Sequence, residues 1–280
     1  MIIFKKIAIV GVGLIGGSIG LAVRTRRLCP KVVGIGRRQA SLDKAIQKSA
    51  IDKGTLSMEE GIKDADLIIV STPVDKVKEK IIQASKYAKK SAIIIDVNST
   101  KQDIVYAANR CLPKDIYFVG THPMAGSERS GILSSEAELF NGTICLVTPE
   151  KATNKQALEK IEIFWQSLGA KVVLMSAKAH DAMVSKISHL PHLLAYALCN
   201  TVSEKELAIA GSGFRDTTRI AKSNPDMWEE IFIQNKKSLL KAIRLFQRNL
   251  RLLETDILHG KRSALALKLK RAMKKREALG

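Results

Sequence analysis

The chain has 280 residues, with 46 Lys and Arg against 27 Asp and Glu, a formal charge of +19. That length suits one large or two ordinary domains, and a hydrophobic fraction of 46% excludes disordered, collagen-like and low-complexity chains. The cysteines, Cys29, Cys111, Cys145 and Cys199, form no C-x-x-C pair and have no histidine at metal-ligand spacing, so neither a disulfide framework nor a metal site is expected and a reducing, cytoplasmic setting fits.

Lys5 and Lys6 precede an uncharged run, 7–23, that superficially resembles a signal peptide or a short membrane span. It holds Gly11, Gly13, Gly16, Gly17 and Gly20, each costing about 1 kcal/mol against Ala inside a helix, and no cleavage motif follows. The glycines ask for a turn, and no membrane partner is expected. Short runs rich in Ile and Val then recur at 7–10, 32–35, 67–70, 92–95, 116–119, 144–147 and 172–174. Continuous apolar runs are what strands buried on both faces need. Helix-like stretches between them, such as 75–86 and 101–110, supply the crossovers of a parallel sheet. The fold class is α/β, a doubly wound parallel sheet.

After Met175 the strand-like runs stop, and the rest reads as helix, so the domain boundary is placed at 176/177. Met183, Ile187, Leu190, Leu194 and Leu198 recur at helical spacing, interrupted by Pro191, which removes one backbone donor and should kink the helix. Farther on, Leu239, Ile243, Phe246, Leu250, Leu253 and Ile257 form a heptad seam with Phe232 one heptad upstream. Such a seam wants a partner helix, in a packed bundle or a dimer core. No internal repeat and no Pro/Gly-rich linker is present.

Gly11-Val12-Gly13-Leu14-Ile15-Gly16 follows a predicted strand and opens a predicted helix, the context that gives G-x-G-x-x-G meaning as a Rossmann-type fingerprint. Gly11 allows the tight turn, Gly13 lets the backbone approach a pyrophosphate, and Gly16 lets helix pack on strand. The helix N-terminus at Leu14 and Ile15 offers free N–H groups to the anion. Thr72 and Pro73, just after the 67–70 run, complete the expected cofactor set. About 20 residues past the fingerprint, where a carboxylate would hold the ribose of NAD, the chain reads Gly36-Arg37-Arg38. Two guanidiniums suit a 2′-phosphate, with Ser41 as a further donor. NADP is therefore favoured over NAD.

Chemistry in such sheets sits in loops after the strands. Two stand out: Asp96-Val97-Asn98-Ser99-Thr100-Lys101, and Thr121-His122-Pro123-Met124-Ala125-Gly126-Ser127-Glu128. His122 is a candidate general base, since imidazole titrates near pH 6.5. In the helical part, Ser188-His189-Leu190-Pro191-His192 brings two imidazoles together, and Gly213-Phe214-Arg215-Asp216-Thr217-Thr218-Arg219 supplies charge. Arg219 suits a substrate carboxylate. On pattern alone, His189 and His192 fit bundle histidines equally well, and Asp216 fits a structural partner of Arg215 or Arg219.

These motifs, in this order and followed by Asn224-Pro225-Asp226-Met227-Trp228, resemble the prephenate/arogenate dehydrogenase family of tyrosine biosynthesis across nearly the whole chain. The resemblance implies a Rossmann domain over 1–176, an all-helical dimerisation domain over 177–280, a homodimer and a small-molecule substrate. It further implies that His122 accepts the ring hydroxyl proton with Ser99 in the same cluster near the nicotinamide, and that Arg219 binds a carboxylate. His192 and His189 would lie beside the substrate, with Glu128 gating it. His192 favours prephenate over arogenate, because arogenate-restricted relatives often carry another residue there. The acidic NAD residue of many members is absent, so their NAD preference is not carried over. The chain ends in helices, and no regulatory domain is expected. Another NADP-linked oxidoreductase with a helical second domain, such as a β-hydroxyacid dehydrogenase or imine reductase, would not need the His122 and His192 motifs. The basic tail 261–280 allows a nucleic-acid partner, but no aromatic residues interleave its charges, and a solvated terminal helix is expected.

Overall fold

The computed structural model describes residues 2–125 and 129–279. Eight strands form one sheet: β1 Ile7–Val10, β2 Val32–Ile35, β3 Lys53–Thr55, β4 Leu67–Val70, β5 Ile93–Asp96, β6 Tyr117–Pro123, β7 Ile144–Thr148 and β8 Lys171–Leu174. Helices α1 Leu14–Thr25, α2 Gln39–Gln47, α3 Met58–Ile62, α4 Val77–Ser85, α5 Gln102–Cys111 and α6 Lys155–Ser167 connect them. The spatial order is β3-β2-β1-β4-β5-β6-β7-β8, so the winding reverses between β1 and β4. That is the switch point at which a doubly wound sheet opens a crevice.

Period-two alternation explains why these strands carry unbroken apolar runs. Ile7 and Ile9 of β1, Leu67 and Ile69 of β4 and Ile93 and Ile95 of β5 point to one face, where Ile19 of α1 and Ile161, Phe164 and Trp165 of α6 cover them. Ala8, Val10, Ile68, Val70 and Ile94 point to the other, under Ile81 of α4 and Ile104 and Ala108 of α5. Each buried Ile or Val side chain contributes about 1.5–3 kcal/mol, so a polar residue anywhere in these runs is costly.

Two features differ from the sequence expectation. The short strand β3 has no apolar run, because it pairs only with β2 at the sheet edge and reads Lys-Gly-Thr. The sheet is also not wholly parallel: β7 runs antiparallel to β6, pairing His122 with Leu146. Between them the chain has only a 3-10 turn at Ile132–Ser134 among the described residues, and without a crossover helix the returning strand reverses direction.

Beyond β8 the chain is helical: α7 Ala177–Val184, a π-helical turn Ser185–His189, α8 Leu190–Cys199, α9 Glu204–Leu207, α10 Ser212–Thr218, a 3-10 turn Arg219–Lys222, and α11 Pro225–Gln234. Pro191 sits in the first turn of α8, and the irregularity expected there takes the form of the π turn just before it. All of this lies in one compact unit, Met1–Asn235. The second unit, Lys236–Gly280, holds α12 Lys236–Leu258 and α13 Arg262–Glu277. They are tied by the Lys268 ammonium, which pairs with the buried Asp256 carboxylate and donates to Leu252 O at 3.1 Å. Along α12 the seam residues Leu250 and Ile257 are exposed. Among the described residues no helix is long and apolar enough to cross a membrane, and all four cysteines are free.

Candidate active site

The sharp turn from β1 into α1 is possible because Gly11 adopts φ +93°, a conformation open to glycine. A Cβ at Gly16 would collide with the Gly11 carbonyl and Ser71 Oγ, whereas at Gly13 nothing lies within 4 Å. The space above Gly13 opens into a cleft of about 820 Å³ lined by Gly11, Val12, Gly13, Arg37, Arg38 and Ser41, together with Thr72 and Pro73. Leu14 and Ile15 form the first turn of α1, whose N-cap Gly13 supplies no side-chain acceptor, so the amides there are not satisfied by a cap. Uncapped amides, a partial positive charge and a glycine-lined approach fit a pyrophosphate.

Arg37 and Arg38 are exposed at the start of α2. The carboxylates that also line the cleft have cationic neighbours: Asp75 lies 3.5 Å from the Lys76 ammonium and Glu79 3.3 Å from that of Lys80.

Past the cleft, β6 carries His122 at its carboxyl end. Its Nδ1 lies 2.8 Å from Nε2 of His180 on α7, and Nδ1 of His180 lies 2.8 Å from Oδ1 of Asp181. Asp181 also accepts the backbone N–H of Lys101 at 2.8 Å and of Gln102 at 2.9 Å. Burial opposes ionisation of this carboxyl, but the His180 hydrogen bond and the two amides outweigh it and hold its pKa below the usual range. An ionised carboxylate only accepts. The tautomers follow from that fact. His180 must carry its proton on Nδ1, its Nε2 must accept from His122 Nδ1–H, and the lone pair of His122 is left on Nε2.

Burial, then the neighbouring His180, Lys101 and His189, push the His122 pKa well below that of an ordinary imidazole. The depression keeps the imidazole in its neutral form. His122 retains 8% exposure while His180 retains 0%, so only the first can meet a ligand. Below them, the fully buried Lys101 ammonium pairs with the Asp96 carboxylate, and Thr121 Oγ1 donates to the Asp96 carbonyl. Burial drives the Lys101 pKa down and that of Asp96 up, and their mutual attraction works against both shifts.

Of the helical histidines, His189 is sealed, with Nδ1 at 3.1 Å from Asn235 Nδ2, an amide that also donates to the Asp181 carbonyl at 2.9 Å. The amide can only donate, which places the His189 proton on Nε2, a buried atom without a hydrogen-bond partner. Burial pushes its pKa down to about 4, and the Ser99 main chain lies beside the ring. His192 donates from Nδ1 to Ser188 O at 2.9 Å and stacks on Trp228 with ring centroids 3.6 Å apart. Arg219 is exposed and close enough to His192 to help lower its pKa, after burial. Thus the fold gathers His122, Ser99 and His189 in one cluster and His192 and Arg219 in another. Glu128 lies outside the described residues.

The residues that sequence reasoning missed are His180, Asp181 and Asn235, and the pairing of Lys101 with Asp96. Their signal was faint: His180 and Asp181 are two neighbouring polar residues in a helix, and nothing in the pattern marks them as buried.

Among known proteins, residues 19–174 match the family described as prephenate dehydrogenase, nucleotide-binding domain, and residues 176–274 match prephenate dehydrogenase, dimerization domain. A prephenate dehydrogenase of Bacillus subtilis (strain 168) is 36% identical over 84% of this chain, which spans 65% of that protein's length. A cyclohexadienyl dehydrogenase of Zymomonas mobilis is 33% identical over 100% of this chain and 97% of that protein. The solved prephenate dehydrogenase of A. aeolicus, in complex with hydroxyphenyl propionate and NAD+, superposes with a TM-score of 0.93 at 35% identity, covering 99% of this chain and 98% of that one. With both halves matched and a relative aligned nearly end to end, the chain belongs to the prephenate dehydrogenase family.

Proposed function

We propose that this chain oxidatively decarboxylates prephenate to 4-hydroxyphenylpyruvate, using NADP+ in preference to NAD+, as a homodimer with a nucleotide-binding part over 1–176 and a helical part over 177–280. The observation that carries this reading is His122: a neutral imidazole at the end of β6, with its Nε2 lone pair free and its other nitrogen held by His180. A nicotinamide bound in the cleft supplies the hydride acceptor. His122 Nε2 takes the C4 hydroxyl proton, and the resulting ketone is conjugated through the ring to the carbon bearing the carboxylate. Loss of CO2 sends the bonding pair through the ring onto the C4 oxygen, which takes the proton back from His122 to give an aromatic phenol, so the reaction does not return. The exposed Arg219 guanidinium supplies hydrogen bonds to a substrate carboxylate, whereas His189, sealed at 0% exposure, supports the site from behind.

Arg37 and Arg38, which line the cleft along with two carboxylates that have lysine neighbours, support a 2′-phosphate over a bare ribose. The apolar seam of α12, with Leu250 and Ile257 exposed, supports self-association. Steady-state rates with prephenate and with arogenate, each against NADP+ and NAD+, test the reading. The highest kcat/KM is expected for prephenate with NADP+, and faster turnover of arogenate or of NAD+ would refute the corresponding half.

A further inference from the structure

We propose that His180 and Asp181 are positioning residues that share the proton His122 takes from its substrate, so that the charge comes to rest on His180 against the Asp181 carboxylate. This deepens the proposed function and rests on the reading of His122 as base.

Three facts of geometry carry it. The rings of His122 and His180 are joined nitrogen to nitrogen at 2.8 Å, and the far nitrogen of His180 meets Asp181 Oδ1 at 2.8 Å. Asp181 is immobilised by the amides of Lys101 and Gln102, at the start of α5, and by Asn235, which holds its main-chain carbonyl. His180 is sealed from solvent at 0% exposure, while His122 retains 8%.

The charges around the pair set the direction. His122 faces the buried Lys101 ammonium, His180 and His189, with no carboxylate among the groups that shift it. His180 faces Asp181 and Asp96, which favour its charged form, and Lys101, which disfavours it. A cation left on His122 would sit beside a second buried cation in a medium of low polarity, whereas a cation on His180 is in hydrogen-bond contact with an anion. The proton balance is simple. The substrate O–H proton arrives at His122 Nε2, the His122 Nδ1 proton crosses to His180 Nε2, and His180 keeps its Nδ1–H on Asp181. His122 is then a neutral imidazole with its tautomer reversed, until the phenolate oxygen formed on loss of CO2 draws the proton back along the same path and restores the starting tautomers.

The test is His180→Gln, whose side-chain carbonyl reaches the place of Nε2 and still accepts from His122 but takes no proton. Imidazole resonances of the full-length protein, followed by NMR without substrate, should show His180 taking up the first proton on acidification, and His122 in the variant should titrate at lower pH than the wild-type pair. With prephenate and NADP+, the variant should lose 10- to 100-fold in kcat with KM within twofold, and its acidic limb should move to lower pH. Asp181→Glu should recover part of the rate that Asp181→Asn loses. If the wild-type His122 resonances move first, or His180→Gln keeps kcat within threefold with its limb unmoved, the sharing is wrong and His180 only fixes a tautomer. A wild-type protein inert toward prephenate would instead overturn the substrate reading, while the NMR titration still decides the proton's place.

Discussion

Replacing His122 by Asn is the most direct probe of the proposed chemistry, because the structure says what the substitution keeps. The Asn amide falls near the place of the ring Nδ1 and can donate to His180 Nε2, the bond that His122 makes at 2.8 Å. What vanishes is the group at the Nε2 position and with it the proton acceptor. Loss of a positioned general base lowers the rate by about 10²–10⁴, which at 1.36 kcal/mol per decade is roughly 2.7–5.4 kcal/mol of transition-state stabilisation. Because the loss belongs to the chemical step, kcat should fall while KM stays within a few-fold. The sign of the pH dependence follows from burial. The His122 pKa is depressed, so the base stays neutral through pH 7, and the wild-type kcat/KM should decline only as the pH falls below the ordinary imidazole value of about 6.5. The variant should lack that limb. Initial rates from pH 4.5 to 9 under saturating NADP+ measure both. A variant that keeps more than a tenth of the wild-type kcat, or that retains the same acidic limb, refutes His122 as the base.

Arg37→Ala combined with Arg38→Ala should raise KM for NADP+ at least about tenfold, the effect of losing some 1.4 kcal/mol, with little change for NAD+; equal losses for both would remove the 2′-phosphate contact. Arg219→Ala should act mainly on KM for prephenate, since a guanidinium–carboxylate pair forms in ground and transition states alike, and an unchanged KM would exclude it from the site. His189 is depressed to about 4 in the fold against about 6.5 unfolded, so the unfolded chain binds more protons between those values and stability falls with acidification. At pH 5 this group alone should cost about 2 kcal/mol relative to pH 7, measured by denaturant titration at the two pH values and compared with His189→Gln, in which the difference should shrink. Polar substitution of Phe246 and Leu250 should shift a dimer to monomer in sedimentation, and a wild-type monomer at micromolar concentration would contradict the proposed seam.

The strands were legible because burial on both faces demands runs such as Leu-Ile-Ile-Val at 67–70 and Ile-Ile-Ile at 93–95, a signal without periodicity but with a consistent length. The short strand at 53–55 was illegible for the converse reason: an edge position asks for little apolar content. The fingerprint glycines were readable because each has a narrow physical use, Gly11 at a positive φ and Gly16 where a Cβ would meet the Gly11 carbonyl. The cluster behind His122 was not. His180, Asp181 and Asn235 acquire their meaning only from contacts made across 46 to 80 positions of sequence, and a lone polar residue in a helix says nothing of what it will face. Likewise, the reversal of β7 goes with the lack of a crossover helix among the described residues after β6, which apolar runs alone do not encode.

The chain of contacts from His122 through His180 to Asp181, and from there back to the amides of Lys101 and Gln102, joins residues that match two separate family segments, 19–174 and 176–274. His122 therefore lies in one segment, and His180 and Asp181 in the other. A chimera that exchanges the second segment for one from a relative keeps this run of hydrogen bonds only if the incoming helix offers a histidine and an aspartate in the same two places. Although the two segments are recognisable as modules by sequence, these contacts bind their inheritance together.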